Sequence, residues 1–249
     1  MTQQEHWWRA VWEVGIEVAA IDGVSALLCA GLSGYSDEAV HISVLHWHRT
    51  GQPFGTTIHK VIRRTTDEIV PVGLPRVRTP IAAVRAAQWA SSDRQAALLL
   101  AMTVQQRLAR PDQLAAAHTA SPGRRRRAFI KRIISDVASG AQSLGELDFA
   151  AICRRRGLPE PDRQVLRHGP RGRVYLDVRW SHLGLVVEID GSQHRLGLAL
   201  AQDNLRQNDA TLSGDVVLRM DLLGLRVAAD EFLDQIEQAI AMLANRRTA

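Results

Sequence analysis

Long hydrophobic runs are missing from this 249-residue chain: no stretch approaches the roughly 18 uninterrupted apolar residues of a membrane span, and the sequence predicts a chain without membrane segments. The N-terminus carries Glu5, Glu13 and Glu17 where a signal peptide needs a basic and then an apolar stretch, so a cytoplasmic location is expected. Cysteine is nearly absent. Cys29 and Cys153 stand far apart with no Cys or His partner at zinc-finger spacing, which argues against a disulfide scaffold and a structural zinc site. Lysine occurs only at positions 60 and 131, so the net charge of +5 is carried by arginine, whose planar fork suits phosphate. Aromatic residues are 5% of the chain, no internal repeat is visible, and 46% hydrophobic residues are enough for an ordinary globular core.

The periodicity divides the chain in two. Trp7 to Val18 recurs at helical spacing and Ile21 to Ala30 reads as a second helix. Val40, Ile42 and Val44 then alternate with polar residues, Thr57 to Arg64 is β-branched and alternating, and Glu68 to Val72 with Arg76 to Arg78 flank a Gly73-Leu74-Pro75 turn, all read as strands. Helices are predicted from Thr79 or Pro80 to Ala90, from Asp93 to Arg107, and from Pro111. This predicts a small mixed α+β domain over 1–120, a linker with one amphipathic helix over 121–141, and a second domain over 142–249. The run Arg124 to Arg127 offers either a grip on phosphates or a solvated linker or helix face, and the second reading is preferred because a charge block alone carries no phosphate-binding geometry. His41, His46, His48 and His59 are read as surface or core histidines, and Trp7, Trp8 and Trp12 as core or interface.

Residues 142–245 predict the order αβββαβα: helix Ser143 to Arg156, strands Gln164 to Arg167, Val174 to Trp180 and Leu185 to Asp190, helix Ala199 to Leu212, strand Val216 to Met220, helix Ala229 to Leu243. The third strand is apolar until Glu188 and Asp190, which a strand's period of two puts on one face. With Ser181-His182-Leu183-Gly184 as a four-residue hairpin loop, Trp180 pairs with Leu185 and Asp177 falls opposite Glu188. Opposed like charges destabilise a sheet unless neutralised, and a divalent cation with hard oxygen ligands, Mg²⁺ or Mn²⁺, would neutralise them. The expected site is therefore Asp177, Glu188 and Asp190, with His194, Asp203 and Arg206 following at once.

The strings Tyr175-Leu176-Asp177, Leu185 through His194, Asp203 with Arg206, and Gly214 with Val217-Leu218-Arg219 resemble the Vsr-like (very short patch repair-like) endonuclease domain, a branch of the PD-(D/E)XK nuclease superfamily. The resemblance covers about 142–245. It implies a restriction-endonuclease-like αβββαβ core, an α/β fold with a mixed sheet, and metal-dependent hydrolysis of phosphodiester bonds in DNA. It also implies that Asp177 is the aspartate of the second core strand, Glu188 the acid of the third, and Asp190 the occupant of the usual lysine position. Aspartate cannot supply positive charge there, so His194 and Arg206 are the candidates to replace the lysine, His194 alternatively being a hydrogen-bonded turn residue. Glu146 matches the superfamily's additional helical acid, and equally closes a capping box with Ser143. Arg179, Gln193 and Arg206 are candidates for nucleic-acid contact. The first half resembles, more faintly, the AbiEi-type antitoxin-like region, on Gly23 to Leu32, His41 to Val44, His59 to Arg64 and Val72 to Pro80. The alternative function is thus a nuclease-fold DNA-binding or antitoxin-like regulator without turnover. A second copy of the chain or a toxin–antitoxin-type protein is the implied partner besides DNA.

Overall fold

The computed structural model describes residues 2–138, 147–168, 174–190 and 217–248, and is a mixed α+β protein with two mixed sheets. The chain forms two compact units, Met1–Ile134 and Ser135–Ala249. Among the described residues no helix is long and apolar enough to cross a membrane.

In the first unit, helix α1 (Gln3–Val14) starts at a capping box, Thr2 Oγ1 accepting from Glu5 N–H and the Glu5 carboxylate accepting from Thr2 N–H. It stops at Gly15, whose φ of 116° no longer fits a helix, four residues short of the expected end at Val18. Ala10, Val11 and Val14 are its buried residues, while Trp12 is 64% exposed and so lies outside the core. The next segment also departs from expectation. Ala20–Ile21 is a short strand, β1, and α2 (Gly23–Cys29) begins only after Asp22, whose Oδ1 accepts from Gly23 N–H. β1 pairs antiparallel with β2 (Val40–Leu45), which pairs in parallel with β3 (Thr56–Val61).

The two strands expected around Gly73 reduce to single bridges, Ile69 with Val77 and Ile21 with Arg76, beside a 3₁₀ turn at Thr66–Glu68. Pro71 and Pro75 lack the N–H that a longer ladder would need. Helices α3 (Thr79–Trp89), α4 (Asp93–Gln105) and α5 (Pro111–Ala120) then follow, with Pro within the first turn of α3 and α5. Arg85 on α3 joins them to the sheet side of the unit: it donates to Asp22 Oδ2 at 2.9 Å and to Glu68 Oε2 at 2.6 Å. Burial opposes the Arg85 charge, but the two carboxylates outweigh it and hold the guanidinium above its ordinary pKa.

In the arginine run Arg124, Arg125 and Arg127 are exposed, as read, and only Arg126 is half-buried, but three of the four also make defined bonds. Arg125 and Arg126 donate to the Ala90 carbonyl just past α3, Arg126 also pairs with Asp93 at 2.6 Å, and Arg127 donates to the Ser121 carbonyl past α5. Cations at helix C-termini satisfy carbonyls that the helix itself leaves open. These bonds tie residues 125–127 to the first unit, and the division between units falls later, inside α6 (Arg127–Ala138).

In the second unit, α7 (Phe149–Arg156) is capped by Asp148, and its first N–H donates to Gln164 Oε1 on β4 (Arg163–His168). β4, β5 (Val174–Trp180) and β6 (Leu185–Asp190) form an antiparallel meander, and β7 (Val217–Asp221) lies parallel to β6, giving the order β4-β5-β6-β7. A short helix that periodicity did not reveal, α8 (Leu222–Val227), and the longer α9 (Ala229–Thr248) complete it. The core gathers alternate strand residues (Leu176, Val178, Trp180, Val187, Ile189, Leu218, Met220) with Phe149, Cys153, Phe232 and Ile236 of α7 and α9. The predicted helix over Ala199 to Leu212 lies outside the described residues.

Candidate functional site: an acidic row on the polar sheet face

One face of the second sheet is spent on the core, so the alternation leaves the other face to Tyr175, Asp177 and Arg179 of β5, Val186, Glu188 and Asp190 of β6, and Val217, Arg219 and Asp221 of β7. The hairpin between β5 and β6 sets their register. Its loop is the four residues 181–184, with Gly184 at a φ of 73°, and both Leu183 and Gly184 N–H donate to the Trp180 carbonyl. Asp162 clamps the loop by accepting from Ser181 N–H at 2.9 Å and from Ser181 Oγ at 3.1 Å. Trp180 therefore pairs with Leu185, and Asp177 stands directly opposite Glu188.

Three cross-strand rows result. The first runs Arg163, Arg179, Val186, Val217; the second Val165, Asp177, Glu188, Arg219; the third Arg167, Tyr175, Asp190, Asp221. In the second row Arg219 Nε lies 3.0 Å from Glu188 Oε2, with 55% and 35% of the two side chains exposed. Arg219 thus brings positive charge to the pair from one strand away. In the third row Asp190 and Asp221 are register partners at the C-terminal ends of the two parallel strands.

Asp221 is 6% exposed and serves as N-cap of α8, its Oδ1 accepting from Gly224 N–H at 2.7 Å. Burial, with a smaller contribution from the Asp190 charge, pushes its carboxyl up to about 6. Its Oδ2 is buried without a hydrogen-bond partner among the described residues.

Of the expected site residues, Asp177 and Glu188 are brought together as a directly opposed pair, Asp190 follows on the same face, and Arg179 lies exposed one row away beside Arg163. Glu146, Gln193, His194, Asp203 and Arg206 lie outside the described residues. Among the described residues no group of three or more His, Cys, Asp or Glu side chains is gathered closely enough to hold a metal ion. Asp190 is a two-residue step along the strand from Glu188, about 6.6 Å at the usual rise, and the Glu188 carboxylate is drawn toward Arg219.

Arg219 and Asp221 are the site residues that sequence reading did not assign. A strand ending in an acid just before an apolar helical turn, Asp221-Leu222-Leu223-Gly224, is the signal for the cap. Their position beside Glu188 and Asp190 follows only from the parallel pairing of β6 and β7.

The other reactive side chains do different work. Burial pushes the Cys153 thiol up to about 11, which makes it a core residue and a poor nucleophile. In the first unit His59 stacks flat on Trp89, with ring centroids 3.7 Å apart and planes 2° from parallel, and shares a hydrogen bond with His41 at 2.9 Å. Asp37 Oδ2 faces the other side of His41 at 3.5 Å. In comparisons with protein-family models, curated proteins and solved structures, nothing matches the chain.

Proposed function

We propose that the second unit is a metal-dependent DNA endonuclease domain of the Vsr-like, PD-(D/E)XK kind. The observation that carries this reading is the direct opposition of Asp177 and Glu188 on the polar face of a meander sheet whose fourth strand runs parallel to the third. Two carboxylates held within a cross-strand pair repel one another, and a sheet that stabilised only itself would put other residues there. The donor set fits Mg²⁺ or Mn²⁺, since it is made of hard oxygens, and Mg²⁺ typically keeps several waters and takes only one or two carboxylates. Such an ion would lower the pKa of a bound water and balance charge developing on phosphorus. Asp177 and Glu188 supply its protein oxygens. Arg219 offers, beside Glu188, the positive charge that Asp190 lacks at the usual lysine position. Arg163 and Arg179, opposed on the same face one row away, support a path for the phosphate backbone.

A second reading is a regulator that binds DNA without cutting it, with the first unit acting as an antitoxin-like module toward a toxin-type partner or a second copy. The Arg219–Glu188 ion pair favours it, because that pair neutralises Glu188 without any metal. The deciding experiment incubates the purified full chain with Mg²⁺ or Mn²⁺ on single- and double-stranded DNA. Cleavage by the wild type that falls about a hundredfold or more in Asp177→Asn and Glu188→Gln, with both variants folded, supports the nuclease. Binding without cleavage above the Glu188→Gln background supports the regulator.

A further inference from the structure

Asp221 carries a carboxylate oxygen that the preceding reading leaves without a task. Capping α8 needs one oxygen, and Oδ1 supplies it to Gly224 N–H at 2.7 Å. Asn or Ser would cap as well without burying an acid. Yet Oδ2 is buried with no partner among the described residues, in a side chain of a residue only 6% exposed. Native proteins leave such groups unpaired rarely, and an ion or a water is the usual resolution. The register partner of Asp221 is Asp190, so a second carboxylate stands beside it at the C-terminal ends of two adjacent parallel strands. Ligands of open α/β sheets gather at those strand ends.

We propose that Asp221 Oδ2 and the Asp190 carboxylate are ligands of one divalent cation of the Mg²⁺ or Mn²⁺ class. This deepens the nuclease reading, on which it rests for the use made of the ion, and it adds a second cation position, in the Asp190–Asp221 row beside the Asp177–Glu188 row. Two carboxylates with water in the remaining positions suffice for Mg²⁺, whereas Ca²⁺ takes six to eight oxygens and a structural Zn²⁺ site takes four ligands, mostly Cys and His. No preformed third protein donor is required. A cation there would also remove the repulsion between the two acids and give Oδ2 the partner it lacks.

The test titrates Mn²⁺ into the full chain and reads free Mn²⁺ by electron paramagnetic resonance, so that binding is measured without turnover. Asp221→Asn keeps an oxygen for the cap, and circular dichroism checks its fold. Should that variant not fold, Asp190→Asn decides, since it leaves the cap untouched. Binding by the wild type that weakens about tenfold or more in both variants is the expected result, about 1.4 kcal/mol per factor of ten. Wild-type binding unchanged in Asp221→Asn and Asp190→Asn, or no binding at millimolar Mn²⁺, overturns the proposal. If only Asp177→Asn and Glu188→Gln weaken binding, the Asp221 site is wrong and the nuclease reading stands. If the Asp221 and Asp190 variants weaken binding but the wild type cuts no DNA, the site stands and the nuclease reading falls.

Discussion

Arg219 Nε lies 3.0 Å from Glu188 Oε2 across adjacent parallel strands, and Glu188 in turn stands opposite Asp177. One arginine therefore sets positive charge beside the Glu188 member of the acid pair. Removing it shows what the Glu188–Arg219 ion pair contributes.

Arg219→Gln is expected to lower stability by less than about 1 kcal/mol, because the ion pair is well exposed to water. The same change strips a competing cation from Glu188, so Mn²⁺ affinity should rise severalfold while the rate of DNA cleavage falls. Paired measurements of Mn²⁺ binding and single-turnover cleavage check this. Equal losses in binding and cleavage would contradict the role given to Arg219.

The pH dependence of stability should differ in sign between the two units. Asp221 is held at about 6 in the folded chain, above the 3.8 of an ordinary aspartate, so the folded state binds the proton more tightly. Its contribution is complete below about pH 4 and is lost as pH rises through 6, on the order of 3 kcal/mol. His59 is pushed down to about 4 from 6.5, first by burial and then by His41, so the unfolded state binds that proton more tightly. Stability from His59 is therefore present above about pH 6.5 and lost as pH falls toward 4. Denaturation between pH 4 and 7, in chelator, should show Asp221→Asn flattening the loss on the alkaline side. His59→Phe, which keeps an aromatic ring against Trp89, should flatten the loss on the acid side.

Gly23→Ala should destabilise the first unit by about 1 to 3 kcal/mol. Gly23 adopts a φ of 53°, and a Cβ built there meets the Trp89 ring at 3.0 Å, so both backbone and packing oppose a side chain. Because that ring also carries the His59 stack, the variant should shift the tryptophan fluorescence of the folded state. A thermal melt with unchanged midpoint would contradict this.

The Asp177–Glu188 opposition was legible before any coordinates, because a four-residue loop and a strand period of two leave one pairing for Trp180 and Leu185. Most helices followed from Pro placement and apolar spacing for the same local reason, and so did the apolar face of the second sheet. The end of α1 was misplaced because apolar spacing continues past Gly15, where the backbone conformation turns away from helix. Arg124 to Arg127 shows the limit on the charged side: the residues are plain in the sequence, but the Ala90 and Ser121 carbonyls that receive Arg125, Arg126 and Arg127 become visible only when α3 and α5 are packed. Arg219 and Asp221 belong to the same class. Residues 191–216 separate β6 from β7, and no local period says which residue of one strand will stand beside which of the other. The amino-acid sequence by itself thus determined the acids, their face and the antiparallel register, all of which depend on neighbours in the chain. Only the tertiary structure decided that Arg219 faces Glu188 and that the buried Asp221 faces Asp190, because parallel pairing is set by long-range packing.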